Sequence, residues 1–337
     1  MKKSASFLVF FIIINFVCHN VMAKVITVNN RLDIAVADYA SLQLAYDNAT
    51  SGDTIMLFPS EIAYIGIDIS KRLFLIGNGF VSSNYLPITI ISGNVNFLEG
   101  SDGSSIESFG GVFNITVKNV NNISISKNNI NSLIIENSFN TLLLSNLING
   151  SYTLGDFLIT LKGNSLVEAN SNIIRARGIP CGYSSTCYAG AILIEGSSVM
   201  KIDNSIIYSE GQLTIYGGIA QGKNNIIYGG LRSNVDFRFS IHSNAWEGQL
   251  DVSKNNIIVS DISSIFTDLS NYNYHLKSGS EAIGNGEDGT DMGIYGGDTP
   301  FVDGGYPGIP VIYYLDVPLK GSQKQGINVT IKAKSNQ

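Results

Sequence analysis

One phrase recurs through the middle of the sequence: a few alternating apolar residues, then asparagine, then two or three aliphatic residues, then a polar turn. Between about residues 90 and 262 it appears as NISISKNNI, NTLLLSNLI, LVEANSNIIRARG, VMKIDNSIIYSEG, GKNNIIYGG, IHSNAWEG and VSKNNIIVSD. The steps between equivalent positions are 17, 26, 33, 20 and 19 residues when the following are aligned: Asn129, Asn146, Asn172, Ser205, Asn225 and Asn244. Repeats of this size indicate a solenoid, in which each unit adds structure to a shared core.

The residues between the turns favour strands over helices. The apolar segments are three to six residues long, rich in Ile, Val and Leu, and alternate with a period of two. Leucine-rich repeats would need a nearly constant step, whereas these steps vary almost twofold. A parallel β-helix tolerates such variation because an inserted loop leaves the stacked coils unchanged. The pattern therefore predicts a β-solenoid.

Asparagine at the bend has a physical reason. Its side chain accepts left-handed backbone angles better than other non-glycine residues. Its amide can also bond to the equivalent amide one coil away. We therefore expect the repeated asparagines to form an internal ladder rather than a sugar-binding surface.

The first 23 residues have the pattern of a secretory signal peptide. Lys2 and Lys3 precede an apolar run from Phe7 to Val17, and the sequence VMA closes the segment. The run is about 11 residues long, too short for a bilayer that needs ~20, so we expect no transmembrane span. A lipid anchor on Cys18 is disfavoured because no small residue stands directly before it. The sequence thus predicts a secreted protein, extracellular or at the cell surface.

Charge and cysteine content limit the classes of partner. Without Lys2 and Lys3, 19 of the 21 basic side chains remain against 27 acidic ones, a net charge of −8 that argues against nucleic acid as a partner. Cys181 and Cys187 lie in one short loop, and in an oxidising compartment we expect them to form a disulfide. Two separate histidines in the exported chain are too few for a multi-histidine zinc site.

Residues 37–80 resemble the entry of pectin-lyase-like parallel β-helix proteins: an amphipathic helix, a Gly-Asp-Thr-Ile strand, a tyrosine, a turn with lysine and a Leu-Ile-Gly strand end. Ser41 is suited to cap the helix and Gly52 to stop it. The apolar side of the helix comprises Leu42, Ala45 and Ala49. The resemblance implies that a helix over 41–50 plugs the open end of the solenoid, whose first coil would otherwise present bare strand edges.

The C-terminal end resembles secreted β-helix proteins as well. Residues 273–297 are similar to a closing segment that marks the last coil, and the tail is similar to extensions on uncharacterised proteins of Bacteroidetes, with two strands around a polar turn. The predicted fold is all-β, a right-handed parallel β-helix of about ten coils with a short N-terminal capping helix and a C-terminal two-strand extension. The predicted divisions are a signal peptide over 1–23, the β-helix with its cap over 24–300, and the extension over 301–337.

Charged residues in the middle coils are the candidates for catalysis. The sequence lacks the acidic clusters and the Gly-His-Gly and Arg-Ile-Lys motifs of polygalacturonase-type glycosidases on this fold. A polysaccharide lyase would need a base and a cation such as Ca²⁺. Arg175 and Arg177 are two residues apart in a predicted strand, so their side chains lie on the same face. Lys201 and Asp203 follow in the next coil. Because a β-helix interior disfavours charge, we expect these side chains on the outer surface, where the alternative to catalysis is that they are solvated or pair with each other.

Two further groups invite a binding role. Asp288 and Asp291 belong to an acidic patch near the end of the predicted β-helix that would suit Ca²⁺, although its position in the closing segment favours capping of turns by aspartate. We expect no other cofactor. Tyrosines and a tryptophan follow the bends, so successive coils are expected to stack rings either as an exposed sugar platform or inside the solenoid; they are Tyr183, Tyr188, Tyr208, Tyr216, Tyr228 and Trp246.

The sequence favours noncatalytic contact with polysaccharide or a cell-surface partner. A diverged lyase acting on uronate-containing polymers is the alternative, and a purely structural surface module is the third hypothesis. The discriminating feature is whether the four candidate catalytic residues converge in one outer groove.

Overall fold

The computed structural model of the protein describes residues 23–31, 36–81, 88–111, 113–152, 156–178, 190–243, 250–318 and 326–334. Nearly all of its regular structure is strand, and up to residue 258 every strand pairing is parallel. These strands are, in chain order, β1 (Val25–Val28), β2 (Thr54–Leu57), β3 (Ser60–Ile65), β4 (Asp68–Ile69), β5 (Phe74–Ile76), β6 (Thr89–Phe97), β7 (Ser105–Glu107), β8 (Phe113–Lys118), β9 (Ser124–Ser126), β10 (Asn129–Ile130), β11 (Ser132–Glu136), β12 (Thr141–Leu144), β13 (Leu147–Tyr152), β14 (Phe157–Lys162), β15 (Leu166–Asn170), β16 (Ile173–Gly178), β17 (Gly190–Asp203), β18 (Ile206–Lys223), β19 (Ile226–Arg238), β20 (Ile241–Ser243) and β21 (Ile257–Ile258).

Parallel pairing between successive coils produces three sheets around one core. Sheet A joins β1, β2, β5, β7, β9, β12 and β15 to the later parts of β17, β18 and β19. Sheet B joins β10, β13 and β16 to the first parts of β18 and β19, then β20 and β21. Sheet C joins β6, β8, β11 and β14 to the first part of β17 and the middle of β18 and β19. The expected fold, a right-handed parallel β-helix, is confirmed.

Alternation along each strand divides core from solvent. In β15, Val167 and Ala169 are buried while Glu168 between them is exposed. Pairing places equivalent inward residues directly above one another, as with Leu143, Ala169 and Ile202 on sheet A. Aliphatic side chains therefore stack in columns through the interior, which removes a continuous strip of apolar surface from water.

The bend between sheets A and B carries the expected polar ladder. The backbone N–H of Asn146 donates to Asn172 Oδ1 at 2.9 Å, and the N–H of Asn172 donates to Ser205 Oγ at 3.1 Å. The ladder runs through Asn128, Asn146, Asn172, Ser205, Asn225, Ser240 and Asn256, in steps of 18, 26, 33, 20, 15 and 16 residues.

Two of the aligned positions differ from those expected. Asn129 is a strand residue paired with Leu147, and Asn128 before it is the ladder residue. Asn244 lies outside the described residues, and Ser240 takes the ladder position of its coil. The hydroxyl of serine accepts the same hydrogen bond, so a search for asparagine alone places the bend of this coil at Asn244 instead of Ser240.

The left-handed backbone angle belongs to a different residue from the ladder. It falls on the residue just before each ladder side chain, with φ between 47° and 60° at Lys127, Ser145, Ser171, Asn204, Asn224, Phe239 and Asn255. The expectation that one asparagine serves both purposes is therefore wrong. The bend uses one residue to reverse the backbone and the next to bond between coils.

The N-terminal helix α1 (Leu42–Asn48) covers the start of the core as expected. Ser41 Oγ accepts the Leu44 N–H at 3.2 Å, and Ala45 and Ala49 are buried with Leu42. Gly52 does not end the helix, because Ala49 already leaves it in an extended conformation.

The chain after β21 folds back along the outside of the solenoid instead of adding a coil. This fold-back segment, residues 260–306, contains the antiparallel pair β22 (Phe266–Asp268) and β23 (Asn273–Leu276). Short 3-10 turns lie at Val252–Lys254, just before β21, and within the segment at Ile262–Ser264, Leu269–Asn271, Glu287–Gly289 and Asp303–Gly305. The expectation that residues 273–300 form the last coil is wrong, since they pair with no coil strand.

The fold-back segment runs along the bend towards the N-terminal coils. The Gly293 N–H donates to Asn224 O at 2.7 Å, and further on the Phe80 N–H donates to Gly304 O at 2.8 Å. Its packing extends past residue 300, because Tyr306 is still buried.

The part of sheet B that lies under the fold-back segment is consequently buried on both faces. Ile207 and Ile227 point into the solenoid, while their neighbours Ile206 and Ile226 face outward. The outward residues are 1% exposed because the fold-back segment covers them in a second hydrophobic cluster with Met292.

The extension is a separate antiparallel sheet of β24 (Val311–Asp316) and β25 (Thr330–Lys334), as expected.

None of the helices in the described ranges has the length and apolar character needed to cross a lipid bilayer.

Candidate functional site

Arg175 and Arg177 share the outer face of β16, as their alternation predicts. Both guanidinium groups reach the same acceptor, Asn149 Oδ1, which lies on the neighbouring coil. The Nε–Oδ1 distances are 3.1 Å for Arg175 and 3.0 Å for Arg177, and Arg177 adds a second bond of 2.8 Å. The neutral amide oxygen of Asn149 thus positions two positively charged side chains next to each other.

The fold-back segment covers this pair with two tyrosines. The guanidinium carbon of Arg175 lies 3.6 Å from the centroid of the Tyr272 ring, and that of Arg177 lies 5.5 Å from it. Arg175 also donates to the Tyr274 hydroxyl at 3.4 Å. Arg177 is exposed, but Arg175 is only 5% exposed. The expectation of a solvated outer surface is therefore wrong for Arg175, because the fold-back segment buries that part of the strand face.

The positive charge at this site has no acidic partner among the described residues. No Asp or Glu oxygen there lies within 4.0 Å of either guanidinium group, and Arg175 uses two of its five N–H donors on protein acceptors. A buried cation without a counter-ion is unfavourable by several kcal/mol unless its surroundings compensate for it. The uncompensated positive charge therefore favours binding of an anion at this site.

Stacked tyrosines continue the row from Arg175 along the solenoid axis. Tyr208 follows Arg175 in register and Tyr228 follows Tyr208, with ring centroids 4.9 Å apart and planes inclined by 21°. A pocket of about 290 Å³ opens here, lined by Tyr208, Ser263, Leu269, Ser270, Tyr272 and Tyr274. The expected stacking of rings in successive coils is confirmed for this pair.

We call this region the arginine-tyrosine site; it comprises Asn149, Arg175, Arg177, Tyr208, Tyr228, Tyr272 and Tyr274. Burial raises the pKa of the Tyr274 phenol, and the nearby charge of Arg175 offsets this only in part. The Tyr274 hydroxyl consequently stays protonated at neutral pH. The site offers fixed positive charge and aromatic surface.

Lys201 and Asp203 do not belong to this site. They lie on sheet A, before the bend, whereas Arg175 and Arg177 lie on sheet B, after it. Lys201 Nζ is 3.5 Å from Asp203, whose Oδ1 also accepts the backbone N–H of Lys223 at 2.9 Å. The four candidate residues thus do not converge in one groove.

The acidic patch near the end of the solenoid holds the fold-back segment. Asp291 Oδ1 accepts the Gly284 N–H at 2.9 Å and so caps a turn, while Asp288 takes a left-handed angle of 62°. Neighbouring Glu287 bonds to Lys223 and Arg238. Within the described ranges, no three His, Cys, Asp or Glu side chains are grouped so as to hold a metal ion.

Several expected residues fall elsewhere. Tyr216 stacks with Phe157 on sheet C, with centroids 6.2 Å apart. The remaining ones lie outside the described residues: Cys181, Cys187, Tyr183, Tyr188 and Trp246.

Sequence reasoning missed three members of the site. Asn149 stands in a strand with no charged neighbour to mark it. Tyr274 lies in the segment that resembled a last coil, and Tyr272 lies just before that segment. The signal available was the aliphatic pairs of sheet B, such as Ile206 with Ile207, because strands buried on both faces lose their alternation. Those pairs indicate a covering layer.

A larger groove of about 550 Å³ lies on the outer face of sheet C, between Asn114 and Glu195. Charged side chains at its edge alternate in sign from coil to coil, and Lys118 bonds to Glu136 at 3.2 Å. Its charges therefore compensate one another, unlike those of the arginine-tyrosine site.

No protein-family model matches the sequence, and no curated protein matches it.

Proposed function

We propose that the protein binds an acidic polysaccharide at the arginine-tyrosine site without catalysing a reaction. The observation that carries the proposal is the burial of Arg175, which is 5% exposed and has no acidic partner among the described residues. A ligand carboxylate would supply the missing negative charge, and a guanidinium group matches a carboxylate with two parallel hydrogen bonds.

The tyrosines support a sugar rather than a free anion. A tyrosine ring presents an apolar face and a polar hydroxyl, which suits a pyranose with its C–H face and hydroxyl edge. Tyr208 and Tyr228 repeat at one ring per coil, so a chain of sugars along the solenoid axis meets a repeated surface. The body of the protein is acidic overall, and the arginine pair makes a local exception to it.

Binding without catalysis is favoured because the two arginines remain protonated in proteins and therefore act as fixed charges rather than bases. The resemblance to pectin-lyase-like proteins supports the alternative, a diverged lyase acting on uronate polymers. In a lyase, the exposed Arg177 would neutralise the uronate carboxylate rather than act as the base. Export through the predicted signal peptide, to the medium or the cell surface, is part of both proposals.

The test is a binding screen of the mature protein against polygalacturonate, alginate and a neutral polymer such as dextran. We expect retardation in gels containing the acidic polymers only. Arg177→Gln should weaken binding about tenfold or more, because a charge-assisted hydrogen bond contributes ~1.5–3 kcal/mol. The matched control Lys201→Gln removes an exposed positive charge on sheet A and should bind as wild type.

Equal binding of dextran, or wild-type affinity of Arg177→Gln, would refute the proposal. Absorbance at the wavelength of unsaturated uronate products, followed with and without calcium, tests the lyase alternative in the same samples. Steady product formation would make the protein an enzyme.

A further inference from the structure

The arginine-tyrosine site is built from two separately attached parts of the chain. The coils supply Asn149, Arg175 and Tyr208, and the fold-back segment supplies Tyr272 and Tyr274. The pocket beside them is lined by Tyr208 from the coils and, from the fold-back segment, by Ser263, Leu269, Ser270, Tyr272 and Tyr274. The complete pocket consequently exists only while this segment is docked.

The coils do not depend on the fold-back segment for their own hydrogen bonds. β22 and β23 pair only with each other, whereas the coil strands and the bend ladder bond among themselves. The segment attaches to the coils through the second hydrophobic cluster, around Ile226 and Met292. It adds separate hydrogen bonds in place of a strand ladder, such as Gly293 N–H to Asn224 O at 2.7 Å and Ser171 Oγ to Thr299 O at 2.5 Å. A segment held in this way can open while the coil stack persists.

Polar contacts outside the pocket contribute to docking. The Glu287 carboxylate accepts a hydrogen bond from Arg238 Nε at 2.9 Å and also bonds to Lys223. The backbone N–H of Glu287 donates to Asn224 Oδ1 at 2.8 Å. None of these residues lines the pocket. Close packing adds to them, because a Cβ placed on Gly293 would lie 2.7 Å from Ile226 Cδ1.

Docking also has an electrostatic cost that a ligand would remove. The segment buries the charge of Arg175 without bringing an acidic side chain to it from the described residues. An anion bound in the pocket would lie against Tyr272, the ring that covers Arg175, and would offset that charge while the segment is docked. A ligand that prefers one of two states shifts the equilibrium towards that state.

We propose that docking of the fold-back segment and binding of an acidic sugar are one coupled equilibrium, so that residues 260–306 act as a strap regulating the site. This inference rests on the proposed function for the identity of the ligand. It predicts that a change that weakens docking of the strap far from the pocket lowers the affinity for the acidic sugar. It also predicts that bound ligand stabilises the docked strap.

The experiment combines hydrogen exchange with binding of short galacturonate oligomers. Glu287→Gln loosens the polar attachment and Gly293→Ala disturbs the packing on Ile226, and neither change touches the pocket. Glu136→Gln is the matched control, since it breaks the ion pair with Lys118 on sheet C. Each variant is measured with and without ligand.

In the ligand-free wild type, we expect faster exchange in residues 260–306 than in β15 and β16, and slower exchange of that segment when ligand is added. Both strap variants should exchange faster and bind about fivefold more weakly, within the usual range of coupling between sites. Glu136→Gln should match wild type in both measurements.

Three outcomes separate the inference from the proposed function. If the strap variants exchange faster but bind with unchanged affinity, the coupling is wrong while the binding site stands. If ligand binds but leaves exchange in 260–306 unchanged, the coupling is also wrong. If the wild type binds no acidic oligomer, the proposed function fails and the coupling fails with it, whatever the ligand-free exchange shows.

Discussion

The guanidinium carbon of Arg175 lies 3.6 Å from the centroid of the Tyr272 ring, although the two residues are far apart in the sequence. One belongs to a middle coil and the other to the segment that returns along the outside. Arg175 is buried but Tyr272 is half exposed, so this contact between a cation and an aromatic ring contributes ~1–2 kcal/mol. This pair therefore joins the coil stack to the fold-back segment at the place where the pocket opens.

Replacing Tyr272 tests that contact. Tyr272→Ala should weaken binding of acidic oligomers and speed hydrogen exchange in residues 260–306, because it removes the ring over Arg175. Tyr272→Phe keeps the ring and should retain most of both properties. Isothermal titration calorimetry measures the binding, and hydrogen exchange on the same samples measures the docking of the segment. Equal behaviour of the alanine and phenylalanine variants would show that the ring over Arg175 is not what matters.

The bend ladder makes a second prediction, at Asn172. Its Oδ1 accepts from the backbone and side chain of Asn146 at 2.9 and 3.0 Å, and its Nδ2 donates to two carbonyls. Asn172→Ala leaves these buried groups unpaired, at ~1–3 kcal/mol each, so we expect a loss of about 3 kcal/mol or more in the free energy of unfolding. Asn172→Ser should lose less, because serine occupies the ladder at Ser205 and Ser240.

Urea denaturation measures these losses. Asn94→Ala is the control, because Asn94 Oδ1 accepts an exposed bond of 3.0 Å from Asn114 Nδ2, and the loss of this bond should change stability by no more than about 0.5 kcal/mol. Similar losses for Asn172→Ala and Asn94→Ala would mean that the buried ladder stabilises the fold no more than an exposed hydrogen bond does.

The ladder was predictable because it depends on neighbours in the repeat. Asn146, Asn172 and Asn225 stand where the phrase puts them, and each bonds to the next coil. The left-handed angle was assigned one residue too late, since asparagine is common at both positions of the bend and composition does not separate them. The adjacent pair Asn224 and Asn225 shows this, with the angle on the first and the ladder bond on the second.

The candidate site was predictable only in part. Alternation correctly placed Arg175 and Arg177 on one outer face, since that follows from strand geometry alone. The burial of Arg175 depends on Tyr272, whose position is set by packing between remote segments. A local pattern does not contain that contact, so the sequence pointed to the residues and not to their environment.

The two faces of sheet B predict different outcomes for neighbouring isoleucines. Ile227 points into the solenoid, so Ile227→Asp buries a carboxylate among stacked coils at a cost of several kcal/mol and should prevent folding. Ile226 lies under the fold-back segment, so Ile226→Asp should release that segment while the coils keep their β-type circular dichroism. Limited proteolysis would then cut within 260–306. Identical behaviour of the two variants would contradict the assignment of the faces.

Cys181 and Cys187 lie outside the described residues, and their disulfide remains a prediction from the sequence. Alkylation of exported protein without reductant, followed by intact-mass measurement, should show no labelled thiol on either residue. Reduction should change the free energy of unfolding by at most ~2–3 kcal/mol, because the closed loop is short. Two labelled thiols before reduction would refute the bond.

His242 makes the last prediction, on acid stability. It lies inside the solenoid in register between Ile227 and Ile258, fully buried. One ring nitrogen, Nε2, is 3.0 Å from Gly229 O, while Nδ1 has no partner in the described part of the chain. Burial lowers the pKa of His242, an effect that its bond to Gly229 only partly opposes.

A lowered pKa in the folded state means that the fold favours neutral His242. Its contribution to stability is therefore complete above the unfolded pKa of about 6.5, and is lost as the pH falls through the lowered folded pKa. His242→Ile continues the isoleucine column and should remove this loss, with a change of no more than about 1 kcal/mol at pH 7 from the missing hydrogen bond. Urea denaturation at pH 7 and pH 5 measures the difference. An unchanged difference in stability between the two pH values in His242→Ile would show that this buried ring does not titrate on unfolding.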